Sequence, residues 1–197
     1  MAKYFALRDR RLSGGVPARP SLSIFNVGAH TPLSSAFGSL ASAARSGGRI
    51  HTMFIFCHGY AGTDDNARTC ADAGGMGLQL GRENMLHTNV GAWSAVRGKV
   101  DNIVVYSCAA ANTESGNRGT SADGKYLMGA LALHSGATVF AADRIQWYST
   151  HNGLGNGRFE FGEWEGQLWE FSPDGTSPIP RDTAAVEFSE VMAGTAP

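Results

Sequence analysis

The sequence predicts an α/β fold: a three-layer α/β/α sandwich with a mostly parallel central sheet and a C-terminal β-hairpin extension. Three observations carry this expectation. Apolar runs recur at Leu22–Gly28, Thr52–Phe56, Ile103–Tyr106 and Ala137–Ala142, and continuous rather than alternating apolar runs mark strands buried on both faces. Segments of helical periodicity separate them, and strand, helix, strand in repeated order is the pattern of a parallel sheet. After Asp143 the chain turns to short aromatic segments divided by Asn152-Gly153 and Asn156-Gly157, pairs that form hairpin turns.

Taken in order, residues 1–20 mix charge, glycine and proline and are expected to form an arm ahead of an α/β domain over residues 21–171. Leu22–Gly28 is the first core strand. In Pro32–Ala44 the positions Leu33, Phe37, Leu40, Ala41 and Ala44 share one helical face, and Pro32 and Gly47 suit its start and stop. The Thr52–Phe56 strand closes this β-α-β unit. A polar, glycine-rich stretch from Tyr60 to Gly77 follows, and a loop of that length at a strand exit is often functional. Its Asp64-Asp65-Asn66 could hold a cation, although such residues more often cap turns. Met76–Leu80 is expected to be a hairpin arm, and Leu86, Val90 and Trp93 one face of a helix running to about Gly98. Beyond the Ile103–Tyr106 strand, Asp123 caps a helix carrying Leu127, Ala130, Leu131 and His134, which Gly136 ends. Ile145–Thr150 and Arg158–Trp164 form the late hairpin, with Leu168–Phe171 as its third piece, so that it spans 145–171. Trp147, Tyr148, Trp164 and Trp169 are its expected core. Residues 172–197, rich in proline, threonine and alanine, are expected to be a surface tail.

At 197 residues the chain is long enough for one domain that buries about two-thirds of its unfolded surface. A charged fraction of 17%, a net charge of -1 and a pI near 6.6 leave no basic stripe for nucleic acid or an acidic membrane. Three cysteines without a CxxC pair suggest neither a disulfide framework nor a cysteine-rich zinc site, so no metal or cofactor is expected and a reducing compartment fits best. No apolar run suits a signal peptide or a membrane span. The expectation is cytoplasmic, with export by a signal-less route left open.

The chemistry-bearing residues lie at two strand ends. One strand runs into Cys57-His58-Gly59, the other into Ser107-Cys108-Ala109-Ala110. A thiolate, not a thiol, attacks carbonyl carbon, so a nucleophilic cysteine needs a group to take its proton. His58 on the neighbouring strand end supplies one. Gly59, lacking a side chain, lets its N–H approach a bound carbonyl, and with the Cys108 N–H it forms a candidate oxyanion hole. Strand alternation turns Cys57 away from His58 and into the core, while Cys70 sits in a loop. His30, His51, His87, His134 and His151 have no catalytic partner in the pattern.

Phe56-Cys57-His58-Gly59 followed by Val105-Tyr106-Ser107-Cys108-Ala109-Ala110, each after an apolar strand, resembles the caspase-like cysteine peptidases of the caspase, legumain, gingipain and separase group. The closer likeness is to bacterial members of that superfamily, including the CHAT-like domains associated with tetratricopeptide repeats. His58 precedes Cys108 by about 50 residues, as the histidine precedes the nucleophile in caspases. The resemblance covers roughly Leu22 to Asp143. It implies a caspase–haemoglobinase fold, Cys108 as nucleophile, His58 as general acid and base, and cleavage of a protein or peptide substrate. A partner protein or self-cleavage is left open alongside the peptide substrate, and the activating event is not given by the sequence. It also implies that Asp143, after the next strand, walls the S1 pocket, where a carboxylate would favour a basic P1 side chain; a turn cap is the other role open to it. Ser107 is a second candidate substrate contact. The chain lacks the Gln-Ala-Cys of caspases and the acidic residue that precedes the metacaspase cysteine, so neither specificity carries over.

Two other functions are compatible with these residues. A caspase-like scaffold that has lost catalysis would serve as a binding module. An α/β-hydrolase-type esterase would use His58-Gly59 as an oxyanion loop, but Tyr106–Ala110 has no Gly-x-Ser-x-Gly elbow.

Overall fold

The computed structural model describes residues 3–60, 74–114, 116–151 and 157–197. It is an α/β protein built on a seven-stranded, mostly parallel sheet. The strands are β1 (Tyr4–Asp9), β2 (Leu22–Val27), β3 (Ile50–Phe56), β7 (Val100–Tyr106), β8 (Thr138–Ala142), β11 (Leu168–Phe171) and β12 (Ile179–Arg181). Across the sheet they lie in the order β2-β1-β3-β7-β8-β11-β12. The first five are mutually parallel, and β11 runs antiparallel to both β8 and β12. Smaller strands are β4 (His58–Tyr60), β5 (Gly77–Gln79) and β6 (Met85–Leu86), which pair in that order, and the β9 (Tyr148–His151) and β10 (Arg158–Phe161) hairpin.

Both faces of the sheet are buried, which is why its strands read as unbroken apolar runs. Phe5, Leu7, Met53, Ile55, Ile103, Val105, Val139 and Ala141 point to one face. That face is covered by α1 (Leu33–Gly47), a 3-10 helix (Val90–Val96) and α2 (Gly124–Ser135). The alternate residues Tyr4, Ala6, Phe54, Phe56, Val104, Tyr106, Phe140 and Ala142 point to the other. There the cover is the β9–β10 hairpin, through Phe159, and the C-terminal segment, through Val186, Phe188 and Val191. The only helix in that cover among the described residues is the short α3 (Phe188–Ala193).

The helix signals act as expected. The Asp123 carboxylate accepts from Tyr126 N–H at 3.0 Å and Gly136 adopts the left-handed cap. Five expectations need correction. Residues 1–20 are not a loose arm: β1 lies inside the sheet with Tyr4 to Leu7 buried, a short apolar run overshadowed in sequence by the charges that follow it. The helix expected from Leu86 to Gly98 is the 3-10 helix Val90–Val96, because Leu86 pairs in β6. Leu168–Phe171 does not extend the hairpin; it pairs with β8, whose edge would otherwise leave its backbone groups unpaired. Residues 172–197 are not a surface tail, since β12 extends the sheet and α3 packs Phe188 against Phe54 and Phe56. Trp147 is likewise not core but 70% exposed, whereas Trp164 stacks on Tyr106.

Candidate active site at the β3 and β7 ends

The parallel pairing of β3 with β7 ends with Phe56 opposite Tyr106, so the two strand exits leave the sheet side by side. Cys57 stays in the core; its N–H donates to Tyr106 O at 3.4 Å, and burial pushes its thiol pKa well up. The chain then enters β4 at His58-Gly59-Tyr60, held by β5 on its other side.

Gly59 meets Cys108 directly. A Cβ on Gly59 would overlap the Cys108 carbonyl oxygen, stand 3.2 Å from its carbonyl carbon and 3.4 Å from Ser107 Oγ. Only glycine permits backbones to approach so closely. Gly59 therefore rests on the cysteine's own backbone.

After Cys108 the chain turns sharply. Ala109 adopts φ 48, a left-handed conformation that costs a non-glycine residue about 1–2 kcal/mol. Hydrogen bonds hold it: Ala109 N–H donates to Arg144 O at 2.8 Å and Ala111 N–H to Ala142 O at 3.0 Å. Gly74 and Gly75 close over this turn, against Ala109 and Asn112.

The Cys108 thiol is partly buried and donates to the Gln146 carbonyl at 3.9 Å rather than to His58. Burial raises its pKa above the ordinary 9.0, and the Glu165 carboxylate adds to the rise. Gln146 is itself clamped: its Nε2 donates to Arg144 O at 3.0 Å and to Glu165 O at 2.9 Å. The partly exposed His58 imidazole makes no hydrogen bond among the described residues.

Asp143 precedes Arg144, whose carbonyl accepts from Ala109 N–H in the turn after Cys108. It lines a cavity of about 560 Å³ together with Ala109, Glu114, Arg144, Trp147 and Glu165. Its carboxylate also ties β8 to β11, accepting from Gln167 N–H at 2.9 Å and from Trp169 Nε1 at 3.1 Å. Ser107 is corrected: it is 2% exposed, its hydroxyl lying beside the Cys57 thiol without a well-formed hydrogen bond, so substrate cannot touch it. Among the described residues no cluster of histidine, cysteine, aspartate or glutamate is arranged to hold a metal ion, and no helix is long and apolar enough to cross a membrane. Cys70 and Asp64-Asp65-Asn66 lie outside the described residues.

Sequence reasoning missed Gln146, Glu165 and Glu114. Gln146 stands between Ile145 and Trp147 in an aromatic run, and a lone polar residue there was the signal available. Comparison with protein-family models, curated proteins and solved structures finds no match to this chain.

Proposed function

We propose that the chain is a cysteine endopeptidase with a caspase–haemoglobinase-like fold, in which the hairpin and α3 take the place of the third, helical layer. The observation that carries the proposal is the packing of Gly59, the residue after His58, on the Cys108 backbone at adjacent parallel strand ends. The Cys108 sulfur attacks the scissile carbonyl carbon as its proton passes to His58. The oxyanion is held by the N–H groups of Gly59 and Cys108, a type of contact worth roughly 3 kcal/mol per donor. His58 then gives the proton to the leaving amine. A water molecule, deprotonated by His58, attacks the thioester and releases the acid with the thiol restored.

The cavity beside Cys108 carries the carboxylates of Glu114, Asp143 and Glu165 against the guanidinium of Arg144, which favours a basic side chain on the substrate. Because the Asp143 oxygens already accept two hydrogen bonds, Glu165 is the freer carboxylate. Peptide libraries incubated with the protein should yield fragments ending in Arg or Lys, and Cys108→Ala should abolish them. Cleavage that survives Cys108→Ala rules out the mechanism. Unchanged cleavage of an Arg peptide by both Asp143→Ala and Glu165→Ala rules out the specificity alone.

One observation favours a second reading, a binding module without catalysis: the thiol donates to the Gln146 carbonyl rather than to His58. A folded protein whose Cys108 resists a peptide-based alkylating electrophile would establish it. No feature favours the esterase.

A further inference from the structure

We propose that the groove between α2 and the β11–β12 turn docks an extended acidic peptide bearing an apolar side chain, at a site separate from Cys108. The groove has a volume of about 540 Å³ and is walled by Gly129, Ala130 and Leu133 on one side and by Phe171 and Pro178 on the other. An outward helix face is ordinarily polar. Here α2 buries Leu127, Met128 and Leu131 against the sheet, yet Tyr126, Ala130 and Leu133, spaced i, i+4, i+7, form a second apolar stripe on the groove side.

Exposure singles out this region. Four large hydrophobic side chains stand out among the described residues: Tyr126 at 62%, Leu133 at 49%, Ile179 at 46% and Trp147 at 70%. The first two line the groove and Ile179 follows its Pro178 wall. Clustered exposed apolar side chains mark interaction surfaces, whereas scattered ones do not.

The charge at one end identifies the partner. Arg118 and Lys125 both line the groove. Lys125 Nζ stands 3.3 Å from the centroid of the Trp169 ring; burial lowers its pKa, the Asp143 and Asp123 carboxylates pull against that, and the like charge of Arg118 adds to the lowering. Arg118 has no acidic partner among the described residues. The one carboxylate lining the groove, that of Asp123, is spent inside the protein, accepting from Thr113 Oγ1 at 2.7 Å, Gly119 N–H at 2.8 Å and Tyr126 N–H at 3.0 Å. An apolar trough with two cations at its end is complemented by a chain that carries a carboxylate next to an apolar side chain. The stripe from Tyr126 to Leu133 is about 10 Å long, the span of about three extended residues.

The test uses the fluorescein-labelled peptide Gly-Ser-Glu-Phe-Glu-Leu-Glu-Ser-Gly, titrated with the full chain and followed by anisotropy. Two control peptides replace every Glu by Lys, or Phe and Leu by Gly. Saturable binding of the acidic apolar peptide alone is expected, weakened roughly 10-fold by Arg118→Glu and by Leu133→Lys, both at exposed positions, with melting temperature unchanged. Cys108→Ala should bind as the parent does, which separates this site from the proposed peptidase. No saturation at millimolar protein, equal affinity for the Lys peptide, or full affinity in both variants overturns the proposal. So does sedimentation of the free chain as a dimer that Leu133→Lys dissolves, since the trough would then belong to a second copy.

Discussion

Replacing Gly59 by Ala tests the contact on which the candidate site is built. The new methyl would fall well inside 3.0 Å of the Cys108 carbonyl oxygen, a separation that real Cβ atoms essentially never show, with Ser107 Oγ 3.4 Å away on another side. Neither neighbour can yield easily. The carbonyl is backbone at the end of β7, and Ser107 is buried. The strand exits must separate by about 1 Å, and overpacking of this kind costs about 1–3 kcal/mol. The same displacement moves His58 relative to Cys108, and about 1 Å of misplacement in a reacting pair costs roughly 100-fold in rate. Urea melts give the stability loss; hydrolysis of an Arg peptide, or alkylation of Cys108 by a peptide electrophile, gives the rate. Gly38→Ala is the control, because its Cβ meets nothing within 4 Å and alanine in a helix should stabilise α1 by about 0.5–1 kcal/mol. Gly59→Ala with parent stability and the parent rate would refute the proposed packing of Gly59 on the Cys108 backbone.

Three further outcomes are expected. Alkylation of Cys108 by iodoacetamide should rise with pH and keep rising through 9.0, the ordinary thiol value, because burial raises the thiol pKa; an inflection below pH 7 would mean a resting thiolate instead. Burial pushes the Asp9 carboxyl up, but hydrogen bonds from Arg11 and the Gly81 N–H outweigh it and leave its pKa lowered. Its stabilisation is therefore whole above the unfolded value of about 4 and is lost as pH falls through the folded value. Asp9→Ala should cost about 3 kcal/mol at pH 7 and less in acid, and urea melts at both pH values check this. Phe188→Ala, which empties the contact between α3 and the Phe54 and Phe56 rings, should cost about 3–4 kcal/mol; a loss under 1 kcal/mol by the same melts would return residues 172–197 to the status of a tail.

Much of the site was legible because it depends on strand order. In a parallel sheet a short crossover leaves consecutive strands adjacent, so the strand ends that lead into His58 and Cys108 could be placed side by side from two apolar runs. The Gln146 carbonyl that takes the thiol's hydrogen bond was not legible. Any residue supplies such a carbonyl, and its position depends on how the 143–147 segment is folded back by the Gln146 side chain. Asp143 was read either as the wall of a substrate pocket or as a turn cap; it lines a cavity, and its bonds to Gln167 and Trp169 needed β11 in place beside β8.

The sequence by itself determined the parallel sheet, the caps of α2 and the glycine after His58, since each follows from local sterics or from burial on both faces of a strand. The tertiary structure alone decided what covers the second face. The aromatic segments at Tyr148–His151, Arg158–Phe161 and Leu168–Phe171 have similar composition, yet two form a separate hairpin and the third joins the main sheet. Backbone hydrogen bonds do not depend on side-chain identity, so a strand's partner is chosen by which edge is left unpaired and which apolar face is left uncovered once the rest of the chain has packed.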